Sequence, residues 1–85
     1  MVEVAHTPRA YLRRLDARMQ DRISARLDLL AENPFDPEHS KPLEGPGGFH
    51  SSPIGGWRIV YTVDIAAQVL RVRRIGPRGQ VYRDL

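Results

Sequence analysis

The sequence contains no cysteine among its 85 residues. Disulfide bonds, a thiolate nucleophile and a zinc-thiolate site are therefore all excluded. The chain must obtain its stability from a hydrophobic core and its chemistry from other side chains.

Long apolar runs and a basic leader are also missing. No segment approaches the roughly 20 apolar residues that a membrane span needs. Residues 1–5 carry an acid, Glu3, where a secretory signal peptide would be basic. The sequence therefore predicts a cytoplasmic protein without membrane contact.

The composition, with 41% hydrophobic and 27% charged residues, is typical of a globular protein, and the length predicts one domain over residues 1–85. The net charge of +3 is unevenly distributed. Residues 1–56 hold seven Lys or Arg and eight acids, whereas residues 57–85 hold six Arg and two acids. The basic C-terminal third points to a polyanionic partner such as nucleic acid.

Apolar periodicity predicts a strand followed by a helical hairpin. Residues 2–6 alternate apolar and polar side chains, as a half-buried strand does. Thr7 is predicted as the N-cap of a first helix, with Pro8 at the first helical position, and Asp16 is predicted as the N-cap of a second. The buried face of the second helix is predicted to carry Met19, Ile23, Leu27, Leu30 and Ala31. Asn33-Pro34 ends this helix, and residues 35–48 are predicted as a loop.

Three further strands are predicted over residues 49–54, 57–64 and 68–75, with Gly55-Gly56 and residues 65–67 as the turns between them. Residues 80–83 are predicted as a short fourth strand. Short connections require antiparallel neighbours, and Pro53, which lacks an amide proton, indicates an irregular or edge strand. The predicted fold class is α+β, in the order β-α-α-β-β-β with the possible last strand. A small antiparallel sheet packs one face on the helical hairpin and leaves the other free.

Four motifs occur in an order typical of one protein family. They are Asn33-Pro34, Lys41-Pro42-Leu43-Glu44-Gly45, Gly55-Gly56-Trp57-Arg58-Ile59-Val60-Tyr61 and Arg78-Gly79-Gln80-Val81-Tyr82. Over nearly all 85 residues, the sequence resembles RelE-like toxins of the RelE/ParE superfamily.

The resemblance implies the toxin of a type II toxin-antitoxin system, a ribosome-dependent endoribonuclease that inhibits translation. Messenger RNA in the A site of the 70S ribosome is cut when a ribose 2′-hydroxyl attacks the adjacent phosphate, leaving a 2′,3′-cyclic phosphate. This reaction needs an acid, a base and positive charge, so the resemblance predicts neither a metal site nor any other cofactor. The implied partners are the ribosome, mRNA and a cognate antitoxin, with DNA contacted only through the antitoxin complex.

By position, the resemblance makes Arg58 and Arg78 the phosphate-stabilising residues and Tyr82 the acid or base. A phenol holds its proton at neutral pH unless positive charge stabilises the phenolate, which Arg78 and Arg74 could supply. Many relatives carry two basic residues where this chain has Ser51 and Pro53.

Several other residues are candidates for the same site. His50 lies beside the Ser51 and Pro53 gap and is predicted as an alternative acid or base. Lys41 and Arg74 are further candidates for catalysis or RNA binding. Contacts with RNA or the ribosome are predicted for Arg71, Arg73 and Arg83. Packing roles are predicted for Trp57 and Tyr61, and structural or solvent-facing positions for His6 and His39.

Two other functions remain open. A ParE-like toxin with the same fold would inhibit DNA gyrase and cleave no RNA, although such relatives generally lack the closing tyrosine that Tyr82 represents. Alternatively, Ser51 and Pro53 mark a weakened family member that acts mainly through antitoxin binding and operon autoregulation.

Overall fold

The computed structural model describes residues 1–82 and contains two helices and five strands. In chain order they are β1 (Val2–Val4), α1 (His6–Arg14), α2 (Ala17–Glu32), β2 (Lys41–Pro42), β3 (His50–Ile54), β4 (Trp57–Asp64) and β5 (Val69–Pro77). The predicted α+β class is confirmed. The short β2 lies within the segment that was predicted to be a loop.

The two helices form the predicted hairpin, but the N-terminal end of α1 differs from the prediction. Asp16 caps α2 as predicted, its Oδ1 accepting the Met19 amide at 2.8 Å. The prediction of Thr7 as the cap of α1 was wrong, because β1 already ends at Val4 and Ala5 is the N-cap without a side-chain bond. Pro8 still lies in the first turn, where its missing amide proton costs nothing. Of the helices within residues 1–82, neither is long and apolar enough to cross a membrane.

The five strands form one sheet in the order β1-β5-β4-β3-β2. The pairs β3-β4 and β4-β5 are antiparallel as predicted, and the unpredicted β2 also pairs antiparallel with β3, but β1 pairs with β5 in parallel. The sheet is therefore mixed rather than wholly antiparallel. A parallel pair needs a long crossover connection, and the helical hairpin is part of the one that separates β1 from β5.

The core lies between α2 and one face of the sheet. Ile23, Leu27 and Leu30 of α2 are buried, as predicted, whereas Met19 is half-buried and Ala31 is exposed. Ala31 comes one residue after Leu30, so it has rotated away from the sheet at the end of the helix. The sheet contributes Ile54, Ile59, Tyr61, Leu70, Val72 and Ile75 to this core.

A C-terminal turn covers part of the opposite face of the sheet. The amides of Gln80 and Val81 both donate to the Pro77 carbonyl, at 3.0 and 3.1 Å. The predicted strand over residues 80–83 is therefore wrong for residues 80–82, and residue 83 lies outside the described part of the chain. Val81 is buried above Gly76, where an added Cβ would lie 3.7 Å from the valine Cβ.

Candidate active site

Strand register aligns basic and polar side chains on the sheet face that points away from α2, which we call the distal face. Lys41 is opposite Ser51, Ser51 is opposite Val60, and Val60 is opposite Arg74. Directly opposed residues project from the same face, and neighbours along a strand alternate. Because Tyr61 points into the core, the row through Val60 lies on the distal face. Lys41 and Arg74 therefore occupy its two ends.

The next row of the distal face contains Arg58, which is opposite both Pro53 and Gly76. One guanidinium nitrogen of Arg58 donates to the carbonyls of Gly55 and Trp57, at 2.8 and 2.7 Å. These bonds turn the half-buried side chain back toward the β3-β4 turn.

Arg78 is brought to the same turn by its backbone, although it is 20 residues away from Arg58 in sequence. Its amide donates to the Gly56 carbonyl at 3.0 Å, and its side chain is exposed. The tertiary structure thus places both predicted phosphate-stabilising residues at one end of the β3-β4 hairpin.

Tyr82 returns over β3 and contacts the distal row. Its hydroxyl donates to Ser51 Oγ at 3.4 Å, and Ser51 is completely buried. Arg74 Nη1 donates to the Val81 carbonyl at 3.5 Å, which ties the C-terminal turn to β5. From the sequence alone, Ser51 is notable only because many relatives have a basic residue at this position. Its partnership with Tyr82 has no local signal, because the two residues are 31 positions apart.

His50 lies on the opposite side of β3 from Ser51. It is paired with Tyr61, and the two rings stack with centroids 5.8 Å apart and an interplanar angle of 25°. The Phe35 ring lies 5.1 Å away on another side, and the Gly48 carbonyl is 3.3 Å from His50 Nδ1. The structure therefore does not bring His50 together with Arg74 and Tyr82.

Arg71 also lies on the distal face but is engaged in ion pairs. Its guanidinium lies 3.3 Å from Glu3 and 3.5 Å from Asp64. The Ala67 amide and then Arg71 hold the pKa of Asp64 below its ordinary value, by hydrogen bonding to the carboxylate. Arg71 thus contributes less free positive charge to this face than the sequence indicates.

Arg73 occupies an irregularity in the sheet. The register passes from the Val60-Arg74 pair to the Tyr61-Val72 pair and leaves Arg73 as the extra residue of a β-bulge. Its Nε donates to Thr62 Oγ1 at 3.1 Å. Strict alternation after Val72 would place Arg73 on the distal face and Arg74 on the core face. Because of the bulge, Arg74 also lies on the distal face. Arg83, the remaining predicted RNA contact, lies outside the described residues.

The packing roles predicted for Trp57 and Tyr61 are confirmed. Tyr61 is fully buried, and the half-buried Trp57 packs edge to face on Tyr11 with ring centroids 5.8 Å apart. These rings therefore strengthen the sheet and its contact with the helices rather than extend the distal face.

One group of potential metal ligands occurs among residues 1–82, and it lies in the loop after α2. Asp36, Glu38 and His39 each offer a ligand atom within 4.8 Å of the others. His39 Nδ1 is 2.9 Å from Asp36 Oδ2, and this bond, followed by the Glu38 amide, lowers the pKa of Asp36. The contacts account for His39 as a structural residue of this loop.

Comparison with known proteins identifies the family. The family model described as "ParE toxin of type II toxin-antitoxin system, parDE" matches residues 3–82. No curated protein sequence matches the chain.

Solved structures share the fold at low sequence identity. The archaeal RelE-RelB complex from Pyrococcus horikoshii matches with a TM-score of 0.81 at 23% identity, covering 94% of this chain and 96% of that one. The RelBE2 toxin-antitoxin complex of Mycobacterium tuberculosis gives 0.80 at 24%, covering 92% and 96%. The isolated Escherichia coli RelE toxin gives 0.79 at 19%, covering 91% and 82%.

The match to the family model extends over nearly the whole described chain, and the fold agrees with that of the RelE structures. The chain therefore belongs to the RelE/ParE toxin superfamily and is the toxin of a type II toxin-antitoxin system.

Proposed function

We propose that this toxin is a ribosome-dependent endoribonuclease that cuts mRNA in the A site. The observation that carries the proposal is the composition of the distal face. Lys41, Arg58 and Arg74 project from it, and the Tyr82 hydroxyl lies against it at Ser51. This face combines fixed positive charge with a group able to transfer a proton.

The proposed reaction is an attack of the ribose 2′-oxygen on the adjacent phosphorus. The P-O bond to the next 5′-oxygen breaks, the 2′-hydroxyl proton passes to a base, and the leaving oxygen receives a proton from an acid. Arg58 and Arg78 stabilise the charge of the pentacoordinate phosphorane, because a planar guanidinium can donate to two phosphate oxygens. Tyr82 performs one of the two proton transfers, while Lys41 and Arg74 hold neighbouring phosphates.

The contacts of the free protein explain why a ribosome would be required. Arg58 is hydrogen-bonded to two carbonyls of its own turn, and the Tyr82 hydroxyl is hydrogen-bonded to Ser51. RNA must replace these bonds before the groups can act. Accurate positioning of the substrate by a large partner can supply about 7–11 kcal/mol of barrier reduction.

The toxin assignment further implies a cognate antitoxin. Three of the matching structures, from Pyrococcus horikoshii, Mycobacterium tuberculosis and Escherichia coli, are complexes of a toxin with its antitoxin. An antitoxin with an acidic segment would complement the positive charge of the distal face. We propose that it blocks RNA binding there and that any contact with operator DNA is made through the antitoxin.

The direct test is primer extension on a defined message in a purified translation system with ribosomes paused at a known codon. We expect discrete cuts in the A-site codon that vanish when ribosomes are omitted. Arg78→Ala and Tyr82→Phe should each lower the cleavage rate by about 10² to 10⁴ and relieve growth arrest. Arg13→Ala, in the last turn of α1, is a matched control that should cleave normally. Undiminished cleavage by both site variants would contradict these assignments.

A second function is favoured by the family model, whose description names a ParE toxin. ParE-like relatives inhibit DNA gyrase and do not cut RNA. If the message remains intact in the primer-extension assay, a gyrase supercoiling assay with the same protein decides for or against this alternative. Inactivity in both assays with retained antitoxin binding would indicate the weakened toxin that Ser51 and Pro53 suggest.

A further inference from the structure

A small cavity lies beside the candidate active site. It is lined by Leu43, Glu44, Pro46, Phe49 and Tyr82 and has a volume of about 280 Å³. This volume is close to the lower end of the range for ligand pockets, about 300 Å³, and is suited to one planar ligand of the size of a nucleobase. Tyr82 belongs both to this cavity and to the distal face, so one RNA could reach the two together.

The cavity is shaped by a loop whose ends are held together. The Leu43 amide donates to the Phe49 carbonyl at 2.9 Å. Gly47 has a φ of +100°, and a Cβ on it would lie 2.6 Å from Phe49 Cε2. A glycine at position 47 therefore satisfies the left-handed backbone and lets the Phe49 ring lie against the loop.

We infer that this cavity binds one base of the mRNA and that Glu44 makes it selective for guanine. The inference rests on the proposed function. Proteins that recognise single-stranded RNA stack unpaired bases on aromatic rings, and Phe49 and Tyr82 offer two rings in one small cavity. Lys41, at the open end of the distal row, supplies positive charge for the adjoining phosphate.

The selectivity follows from the hydrogen-bonding capacity of Glu44. An ionised carboxylate only accepts, and its two oxygens match two parallel donors. Among the four RNA bases, guanine alone presents two neighbouring donors, N1-H and the N2 amino group, on its Watson-Crick edge. Adenine and cytosine present one amino group beside an acceptor, and uracil one donor between two acceptors. Glu44 repels phosphate, so the base of a bound nucleotide, and not its phosphate, is expected next to it.

The test is an NMR titration of the intact toxin with four trinucleotides that differ only in the central base. Their riboses are 2′-O-methylated, so none can be cleaved and all carry the same charge. We expect the guanine trinucleotide to bind about tenfold more tightly than the other three, with chemical shift changes at residues 43–49. Glu44→Gln should remove the preference, whereas Glu38→Gln, in the preceding loop, should retain it. Phe49→Leu should weaken the binding of all four.

Equal affinity for the four trinucleotides, no binding of any of them, or an unchanged preference in Glu44→Gln would each overturn the inference. The titration measures binding without cleavage, so its result is separate from that of the primer-extension assay. If the protein prefers guanine but leaves mRNA intact, the proposed ribonuclease activity is refuted and the guanine-binding cavity is supported. If the protein cleaves mRNA but binds the four trinucleotides equally, the ribonuclease activity is supported and the guanine-binding cavity is refuted.

Discussion

Replacing Tyr61 by Phe removes one hydroxyl whose role in the fold is well defined. The side chain is fully buried in β4, and its hydroxyl donates to the Pro34 carbonyl at 2.6 Å. The bond joins the sheet to the loop that follows α2. Ser40 Oγ also donates to this carbonyl, but at 3.4 Å, so it compensates only weakly. We therefore expect a loss of about 1–2 kcal/mol at neutral pH, and a melting temperature lower by about 4–8 °C per kcal/mol.

The effect of this substitution should depend on pH in the alkaline range. Burial, with a smaller contribution from Asp36, raises the pKa of Tyr61 above its ordinary value, although a hydrogen bond with Ser40 opposes the rise. As pH rises, the Tyr61 hydroxyl therefore loses its proton at a lower pH in the unfolded chain than in the folded protein. The contribution of Tyr61 is fully present below the unfolded value of about 10 and is lost as pH rises through the folded pKa. Phenylalanine does not ionise, so the stability difference between the two proteins should shrink above about pH 10.

The assay is urea denaturation of both proteins at about pH 7 and about pH 11, followed by circular dichroism and by the fluorescence of Trp57. Tyr11 and Tyr82 are present in both proteins, so their ionisation cancels in the comparison. Equal stability at neutral pH would show that the bond to Pro34 contributes nothing. A difference that stays constant or grows at alkaline pH would refute the argument from burial.

Substitutions at Arg26, Asp36 and Gly47 test contacts elsewhere in the structure. Arg26 Nη1 donates to Ser52 Oγ and the Pro53 carbonyl, at 2.8 and 2.6 Å, so Arg26→Met should lower the free energy of unfolding by about 1–3 kcal/mol in urea titrations, and Arg26→Lys by less. The lowered pKa of Asp36 gives stability that is present above about pH 3.9 and lost as pH falls through the folded value, so Asp36→Asn should flatten the acid limb of a circular dichroism titration. Gly47→Ala should cost about 1–3 kcal/mol of thermal stability because of its positive φ and the Phe49 contact, whereas Gly79→Ala, which has open space, should not.

Local patterns in the amino-acid sequence predicted the secondary-structure elements and the family. Apolar spacing predicted both helices and the three later strands, Asp16 predicted the cap of α2, and Gly55-Gly56 predicted the turn between β3 and β4. These features depend on neighbours within a few residues, which the sequence displays directly. The motifs were equally readable, and the match to the family model confirmed the resemblance they carried.

The way in which distant segments meet became visible in the tertiary structure alone. The tertiary structure placed β1 beside β5, folded residues 78–82 into a turn over the sheet, and joined Tyr82 to Ser51. Arg74 shows the difference most clearly, because strict alternation from Val72 would place Arg73, and not Arg74, on the distal face. Strand register and the bulge at Arg73 settle which face each side chain occupies. They are set by pairing between residues far apart in the chain, so no local pattern could reveal them.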